Sequence, residues 1–483
     1  VPRKPLDEAA IRRRVKQAGQ GHVFRFWNKL TKDARSRLLA DLAEVNFKEL
    51  QALIRKHIVK QRPVELPPDL EPAPFIPLPE TRADRALRRH MHRLGGELIA
   101  AGRVAALVVA GGQGTRLGFD GPKGAFPIGP ASGRPLFQIF AEAILAARRA
   151  YRASIPWYVM TSRDNDHRTR EFFREHGCFG LPPDDVKFFS QASMPAVDLH
   201  QRRLILAARD QLAWSPDGHG GTIRALARSG MLADMAARGI ECISYFQVDN
   251  PLVPPVDPVF LGFHADARSD MSSKMAVKRD PGEEVGIFCV SRGQLHVVEY
   301  SDLKGCPDIL DARGPDRALR FAAGSIAIHI LDRRFVERLA ARGRSALPFH
   351  RAEKKVEYVD KSGRHRKPRT KNAVKFEMFI FDALPAARRP VVLQIDRAAE
   401  FSPVKNADGE DTPATARRDM LLLAARRLRE AGVRVPQGPG GLPLHKVEIS
   451  PLAARTAEEL RALARRLGLK KVTRDLYLGP ETG

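Results

Sequence analysis

The sequence predicts an α/β protein with a mixed, mostly parallel sheet and helices on both faces. An N-terminal helical region precedes it and a small C-terminal lobe follows. Three observations carry this. Short apolar runs at Val104–Val109, Trp157–Met160, Val186–Phe189 and Ile243–Val248 read as buried strands. Helical patterns at Pro135–Arg149 and Leu226–Arg238 fall between them, and such alternation implies a parallel sheet. The chain also changes character at both ends, which sets three expected segments: residues 1–100, 101–401 and 402–483.

Within the first segment, Asp7 can cap a helix carrying Ile11, Val15 and Ala18 at helical spacing. Thr31 can cap a second helix with Leu38, Leu39, Leu42 and Ala43. The stretch Pro63–Pro79 holds seven prolines, which excludes regular helix or central strand and predicts an extended connector. In the last segment Gly432–Leu444 is rich in Gly and Pro, and Thr456–Leu467 reads as a helix.

Composition narrows the function classes. With 483 residues, 43% hydrophobic and 28% charged, the chain is long enough for a large core and resembles a soluble protein. No apolar run is long enough to span a bilayer and no signal-peptide pattern opens the chain, so no membrane role is expected. The four cysteines are scattered, which predicts reduced thiols and a cytoplasmic setting. A formal net charge of +25 raises nucleic-acid binding as a rival. However, no such motif is present, few aromatics interleave with the basic residues, and the Arg residues follow helical patterns. A solvated basic surface that favours anionic substrates is the expectation, with no nucleic-acid partner.

In open α/β sheets ligands bind beyond the carboxyl ends of strands. The first strand runs directly into Ala110-Gly111-Gly112-Gln113-Gly114-Thr115-Arg116. Its glycines let the backbone approach a ligand and expose N–H donors to phosphate. Arg116 can fork onto phosphate oxygens, and Lys123 adds a compact cation. The spacing is neither the dinucleotide fingerprint nor the P-loop. Two cations beside an amide-lined loop suit a triphosphate whose charge grows as pyrophosphate departs. Asp249 ends another apolar strand, where a carboxylate beside a phosphate loop is a natural Mg²⁺ ligand.

GGQGTRLG followed by PKG resembles the signature of the eukaryotic-type UDP-sugar pyrophosphorylases, and most of all the UDP-N-acetylglucosamine pyrophosphorylases. The similarity extends through AGQGHVFRFWNKL, MTS, SPDGHGG, VDN, VVEYSDL, PFHRAEKKVEYVD, KFEMFIFD, FSPVKNADG and EISPL, in collinear blocks across nearly the whole chain. It implies a Rossmann-like nucleotidyltransferase fold of the GT-A type. The implied reaction is UTP plus a sugar-1-phosphate giving a UDP-sugar and pyrophosphate, with Mg²⁺ as cofactor. The implied catalytic residues are Arg116, Lys123 and Lys405. Nucleotide binding would fall to Val109, Ala110, Gly111, Gly112, Gln113, Gly114, Thr115, Gln191, Gly218 and Lys375, with Asp249 on the metal. Sugar binding would fall to His219, Asn250, Glu299, Gly324 and Ser325.

Two positions depart from the acetylglucosamine pattern. His219 stands where those enzymes carry Asn, whereas the UDP-glucose enzymes carry Gly-His-Gly there. Ser325 ends Ala323-Gly324-Ser325 where the family has Ala-Gly-Asn. N-acetylglucosamine-1-phosphate is the expected sugar substrate. Glucose-1-phosphate is the alternative, and a non-catalytic UDP-sugar-binding protein is a third reading.

Overall fold

The structure is a computed structural model describing residues 7–60, 66–303, 305–343 and 346–480. Residues 61–65, at the start of the proline-rich connector, lie outside the described residues. The chain divides into two compact units. One comprises Val1–Leu66, Gln191–Thr222 and Arg344–Asp382, and the other comprises Pro67–Ser190, Ile223–Gly343 and Ala383–Gly483.

The larger unit is built on a ten-stranded mixed sheet. Four parallel strands form one half, in the spatial order Cys242–Gln247, Val104–Val109, Trp157–Thr161, Val186–Ser190. The sheet continues through Ala323–Asp332, which runs antiparallel to Cys242–Gln247 and to Met271–Val277. Every residue of Val104–Val109 is buried, so both faces of this central strand are covered. Val104, Ala106 and Val108 share a core with Phe137, Phe140 and Ile144 of the helix Leu136–Tyr151 and with Leu98, Ile99, Phe260 and Leu261. Those last four lie on the helices Arg82–Ala100 and Pro258–Asp266, which cross closely. A Cβ on Gly95 would stand 1.9 Å from the Pro258 carbonyl oxygen, and one on Gly262 would stand 2.0 Å from that of Met91. Only glycine permits this approach.

The parallel strands and the helix after Pro135 form where the hydrophobic pattern put them. The second expected helix, Leu226–Arg238, is instead two: Thr222–Arg228 and Met231–Ala237. They break at Gly230, whose φ of +78° lies in the left-handed region and ends helical propagation. From residue 66 onward the connector contains no helix, as its prolines require. Glu71–Pro72 pairs antiparallel with Val290 and Cys289, and Ile76 bonds to Val392 and Gln394 in the strand Val391–Gln394. The C-terminal part has its own core of Ala425, Leu428, Val447, Leu460 and Leu463, with Thr456 capping the helix Ala457–Arg466.

The smaller unit contains the helices Glu8–Gln17 and Lys32–Glu44, capped by Asp7 and Thr31 as their sequence predicts. It also contains a three-stranded antiparallel sheet, with Ala373–Glu377 between His350–Lys354 and Val197–Asp198.

Candidate active site

In the larger unit the glycine-rich loop is held from behind. The Asn165 side-chain amide donates to the Ala110 carbonyl at 2.8 Å and the Gly112 carbonyl at 3.2 Å. The Ser162 hydroxyl donates to the Gly111 carbonyl at 2.8 Å. In a trans peptide the C=O and N–H point in opposite directions. Fixing the carbonyls of 110, 111 and 112 therefore aims the N–H groups of Gly111, Gly112 and Gln113 to the other side. Three successive donors turned the same way make a cradle for an anion. Asn165 is fully buried, so its orientation is enforced by packing as well as by bonding. Val109 and Ala110 are buried at the strand end, and Gly112, Thr115 and Arg116 are exposed.

Lys123 joins this loop to Asp249. Its backbone N–H donates to the Gly112 carbonyl, and its Cε lies 4.0 Å from where a Gly112 Cβ would be. Its ammonium donates to the Val404 carbonyl at 3.2 Å, and the Val404 N–H donates to the Asp249 carbonyl at 2.8 Å. Lys405 follows and pairs with Asp411 at 3.0 Å. Burial alone would lower the Lys405 pKa, but the Asp249 and Asp411 carboxylates more than offset it and the pKa is raised. Tyr300 is pushed up by burial and then by Glu284 and Glu299, with Lys405 and Arg116 pulling the other way. Arg116, Glu299, Lys405 and Asp249 thus belong to one electrostatic neighbourhood.

The sugar candidates of this unit divide in two. Glu299 lies beside Gly286, with Oε2 3.1 Å from where a Gly286 Cβ would be. The Gly286 carbonyl accepts from Ser325 N–H at 2.8 Å, and Gly324 pairs with Ile287. Glu299, Gly324 and Ser325 therefore come together. Asn250 is buried, and its side chain is engaged within the protein. Its Nδ2 donates to the Glu400 carbonyl at 2.7 Å, and its Oδ1 accepts from Ser402 N–H at 3.1 Å.

The smaller unit carries Gln191, Gly218, His219 and Lys375. Gln191 is buried just past the end of the strand Val186–Ser190, and Lys375 lies on the strand Ala373–Glu377. The loop through Gly218 is zipped to residues 378–380. Met378 N–H donates to the Asp217 carbonyl at 2.7 Å, and Gly220 N–H donates to the Met378 carbonyl at 2.8 Å. Gly218 has φ of +85°, and a Cβ there would stand 2.4 Å from the Met378 carbonyl oxygen, so glycine is required twice over. Ile380 N–H donates to His219 Nδ1 at 3.3 Å. Burial lowers the His219 pKa to about 4, with His350 adding to the effect, so its imidazole is neutral at pH 7.

Sequence reasoning missed Asn165, Ser162, Tyr300 and Asp411. Ser162 and Asn165 follow a buried strand at Ser-x-x-Asn spacing, and Asn165 Oδ1 accepts from Ser162 N–H at 2.8 Å. That local turn was the available signal.

A family model described as UTP–glucose-1-phosphate uridylyltransferase matches residues 80–429. The UDP-N-acetylhexosamine pyrophosphorylase-like protein 1 of Homo sapiens is 38% identical over 481 residues, covering 94% of each chain. The UDP-N-acetylglucosamine pyrophosphorylase of Saccharomyces cerevisiae is 33% identical over 437 residues, covering 87% of this chain and 91% of the relative. The crystal structure of the uridine diphosphate N-acetylglucosamine pyrophosphorylase from Trypanosoma brucei in complex with inhibitor superposes with a TM-score of 0.80. It is 27% identical and covers 95% of both chains.

Proposed function

The chain belongs to the UTP–glucose-1-phosphate uridylyltransferase family, and we propose that it makes a UDP-sugar and pyrophosphate from UTP and N-acetylglucosamine-1-phosphate. The observation that carries this reading is the Lys123–Val404–Asp249 linkage beside a glycine-rich loop whose carbonyls at 110, 111 and 112 are held by Asn165 and Ser162. It gathers an amide cradle, two lysines and a carboxylate at the strand ends of one sheet. The choice of sugar follows the names of the relatives quoted above.

The sugar phosphate is the nucleophile. One of its oxygens attacks the α-phosphorus of UTP, and the bond to the β-phosphate bridging oxygen breaks as pyrophosphate leaves. The attacking phosphate is already ionised at pH 7, so neither a general base nor a covalent enzyme intermediate is needed. Catalysis is positioning and charge neutralisation. The N–H groups of Gly111, Gly112 and Gln113, with Arg116 and Lys123, hold the triphosphate and its departing end. Lys405 and Lys375 offset repulsion between two anionic substrates. Gln191 and Gly218 serve the nucleotide base. His219, Glu299, Gly324 and Ser325 serve the sugar, and Asn250 acts from behind by fixing the loop next to Asp249.

Magnesium fits this site. Mg²⁺ takes oxygen donors, needs only one or two carboxylates, and completes its shell with water and substrate phosphates. Asp249 offers such a carboxylate beside the triphosphate loop, and Lys405 lies close enough to feel its charge. Bound there, the ion would supply charge neutralisation on the phosphates. The cytoplasm is the proposed location: the four cysteines are unpaired, and no helix is long and apolar enough to cross a membrane among the described residues.

The test is pyrophosphate release from UTP with a panel of sugar-1-phosphates, compared by kcat/KM. Preference for N-acetylglucosamine-1-phosphate supports the proposal. Preference for glucose-1-phosphate, which His219 in place of Asn makes the second reading, replaces the sugar but keeps the chemistry. No release with any sugar would sink the enzyme in favour of a UDP-sugar-binding protein.

A further inference from the structure

In the smaller unit the Phe379 ring packs near two imidazoles. Its centroid lies 5.4 Å from that of His219 and 4.7 Å from that of His350, with interplanar angles of 35° and 36°. Phe381 stacks on Phe379 at 5.0 Å and meets His219 edge-on at 5.8 Å. His350 is itself anchored, with Nε2 2.8 Å from Asp382 Oδ2. Residues 379–382 therefore supply two rings, a backbone N–H and a carboxylate to one assembly. The two histidines come from distant parts of the sequence.

We propose that His350 and Asp382 are positioning residues that hold the His219 imidazole, through Phe379, in the plane and tautomer that read the sugar. This rests on the proposed uridylyltransferase reading and adds the means by which one specificity position is set. A neutral imidazole that accepts at Nδ1 carries its proton on Nε2. The Ile380 N–H bond at Nδ1 therefore makes His219 a fixed N–H donor. Such a donor selects a sugar substituent that accepts, such as an acetamido carbonyl or a hydroxyl oxygen. Asn in that place could turn over and present either its donor or its acceptor. A histidine packed against a tilted Phe379 ring and an edge-on Phe381 ring, and pinned at Nδ1, cannot. Asp382 sets the His350 ring, the His350 ring confines Phe379, and Phe379 with Phe381 confines His219. Neither His350 nor Asp382 is assigned a substrate contact.

The experiment compares His350→Leu, His350→Gln and Asp382→Asn with the unaltered protein. It measures KM for the sugar-1-phosphate, KM for UTP, kcat and Tm. Leucine keeps the bulk but removes the bond to Asp382. Glutamine keeps a planar donor, and asparagine keeps an acceptor. The expected result is a rise of about tenfold in the sugar-phosphate KM for His350→Leu, with the UTP KM within about twofold. The Gln and Asn variants should regain most of the loss. Histidine ¹⁵N spectra give a readout that needs no turnover: His219 should be a single Nε2–H tautomer in the unaltered protein and a mixture in His350→Leu. Equal rises in both KM values together with a large loss of Tm would mean a merely structural role and overturn the proposal. An unchanged tautomer with unchanged sugar KM would overturn it as well. If the unaltered protein turns over no sugar phosphate, the enzymatic reading fails, and the tautomer measurement still decides the positioning claim.

Discussion

The ammonium of Lys123 donates to the carbonyl of Val404 at 3.2 Å, across a sequence separation of 281 residues. This one bond fixes where a cation sits relative to the amide cradle, because the same residue's backbone N–H is bonded to the Gly112 carbonyl. Lys123 is half-buried and spends its charge on a neutral acceptor, so folding depends on it little. We predict that Lys123→Ala lowers kcat by about a hundredfold or more, the scale of losing one transition-state charge partner. Its Tm should stay within a few degrees. Unchanged turnover in this variant would remove Lys123 from the chemistry.

Asn165 is expected to act on UTP without touching it. Removing its side chain in Asn165→Ala takes the side-chain donor from the buried Ala110 carbonyl and leaves the Gly112 carbonyl with only the Lys123 N–H. We predict a stability loss of about 1–3 kcal/mol by urea unfolding. The UTP KM should also rise, because the N–H groups on the far side of those peptides are no longer aimed. A stability loss with an unaltered UTP KM would show that the cradle does not need its backing.

Asp249 is the proposed carboxylate for magnesium. Asp249→Asn keeps the shape and the backbone bond to Val404 while removing the charge. We predict that its activity needs a higher Mg²⁺ concentration and that a chelator abolishes turnover in the unaltered protein. An identical Mg²⁺ titration for both proteins would contradict the assignment.

Burial holds His57, His219 and His264 down at about 4, against an ordinary value of 6.5. Between those values the unfolded chain binds protons that the folded chain refuses. Stability is therefore complete above about pH 6.5 and declines as pH falls toward 4. His264 Nδ1 pairs with Ser272 Oγ at 2.8 Å inside the larger unit. Urea midpoints from pH 7.5 down to 5 should fall, and the fall should be shallower in His264→Gln. A midpoint independent of pH would mean that these imidazoles protonate freely in the folded state.

The parallel half of the sheet was legible because buried strands are short, apolar and rich in Val and Ile, as in Val104–Val109. Cap residues Asp7 and Thr31 were equally plain, since each precedes a helical repeat. The antiparallel half was harder to read. Met271–Val277 contains Ser272, Ser273 and Lys274, all buried, and polar residues at core positions erase the hydrophobic signal. Lys274 is tolerated there because its ammonium meets both Asp257 and Glu400, which lie far from it in sequence. Gly230 was passed over because a single glycine does not always end a helix. At the candidate site, Arg116, Lys123 and Asp249 stand out by their chemistry and their place after strands, whereas Gln191, Glu299, Lys375 and Lys405 stand out only through the family resemblance. Asn165, which acts on backbone carbonyls from behind, looks in sequence like any loop asparagine.

The connector after residue 66 lies along two strands of the large sheet, pairing through Glu71–Pro72 and through Ile76. An open strand edge recruits other chains, and proline cannot donate the bond that would extend the ladder. By occupying those edges with proline-studded chain, the molecule ends its own sheet with a strand that cannot serve as a template. We therefore expect a protein lacking residues 67–79, which uncovers these strands, to fail first by aggregating rather than by losing its helices.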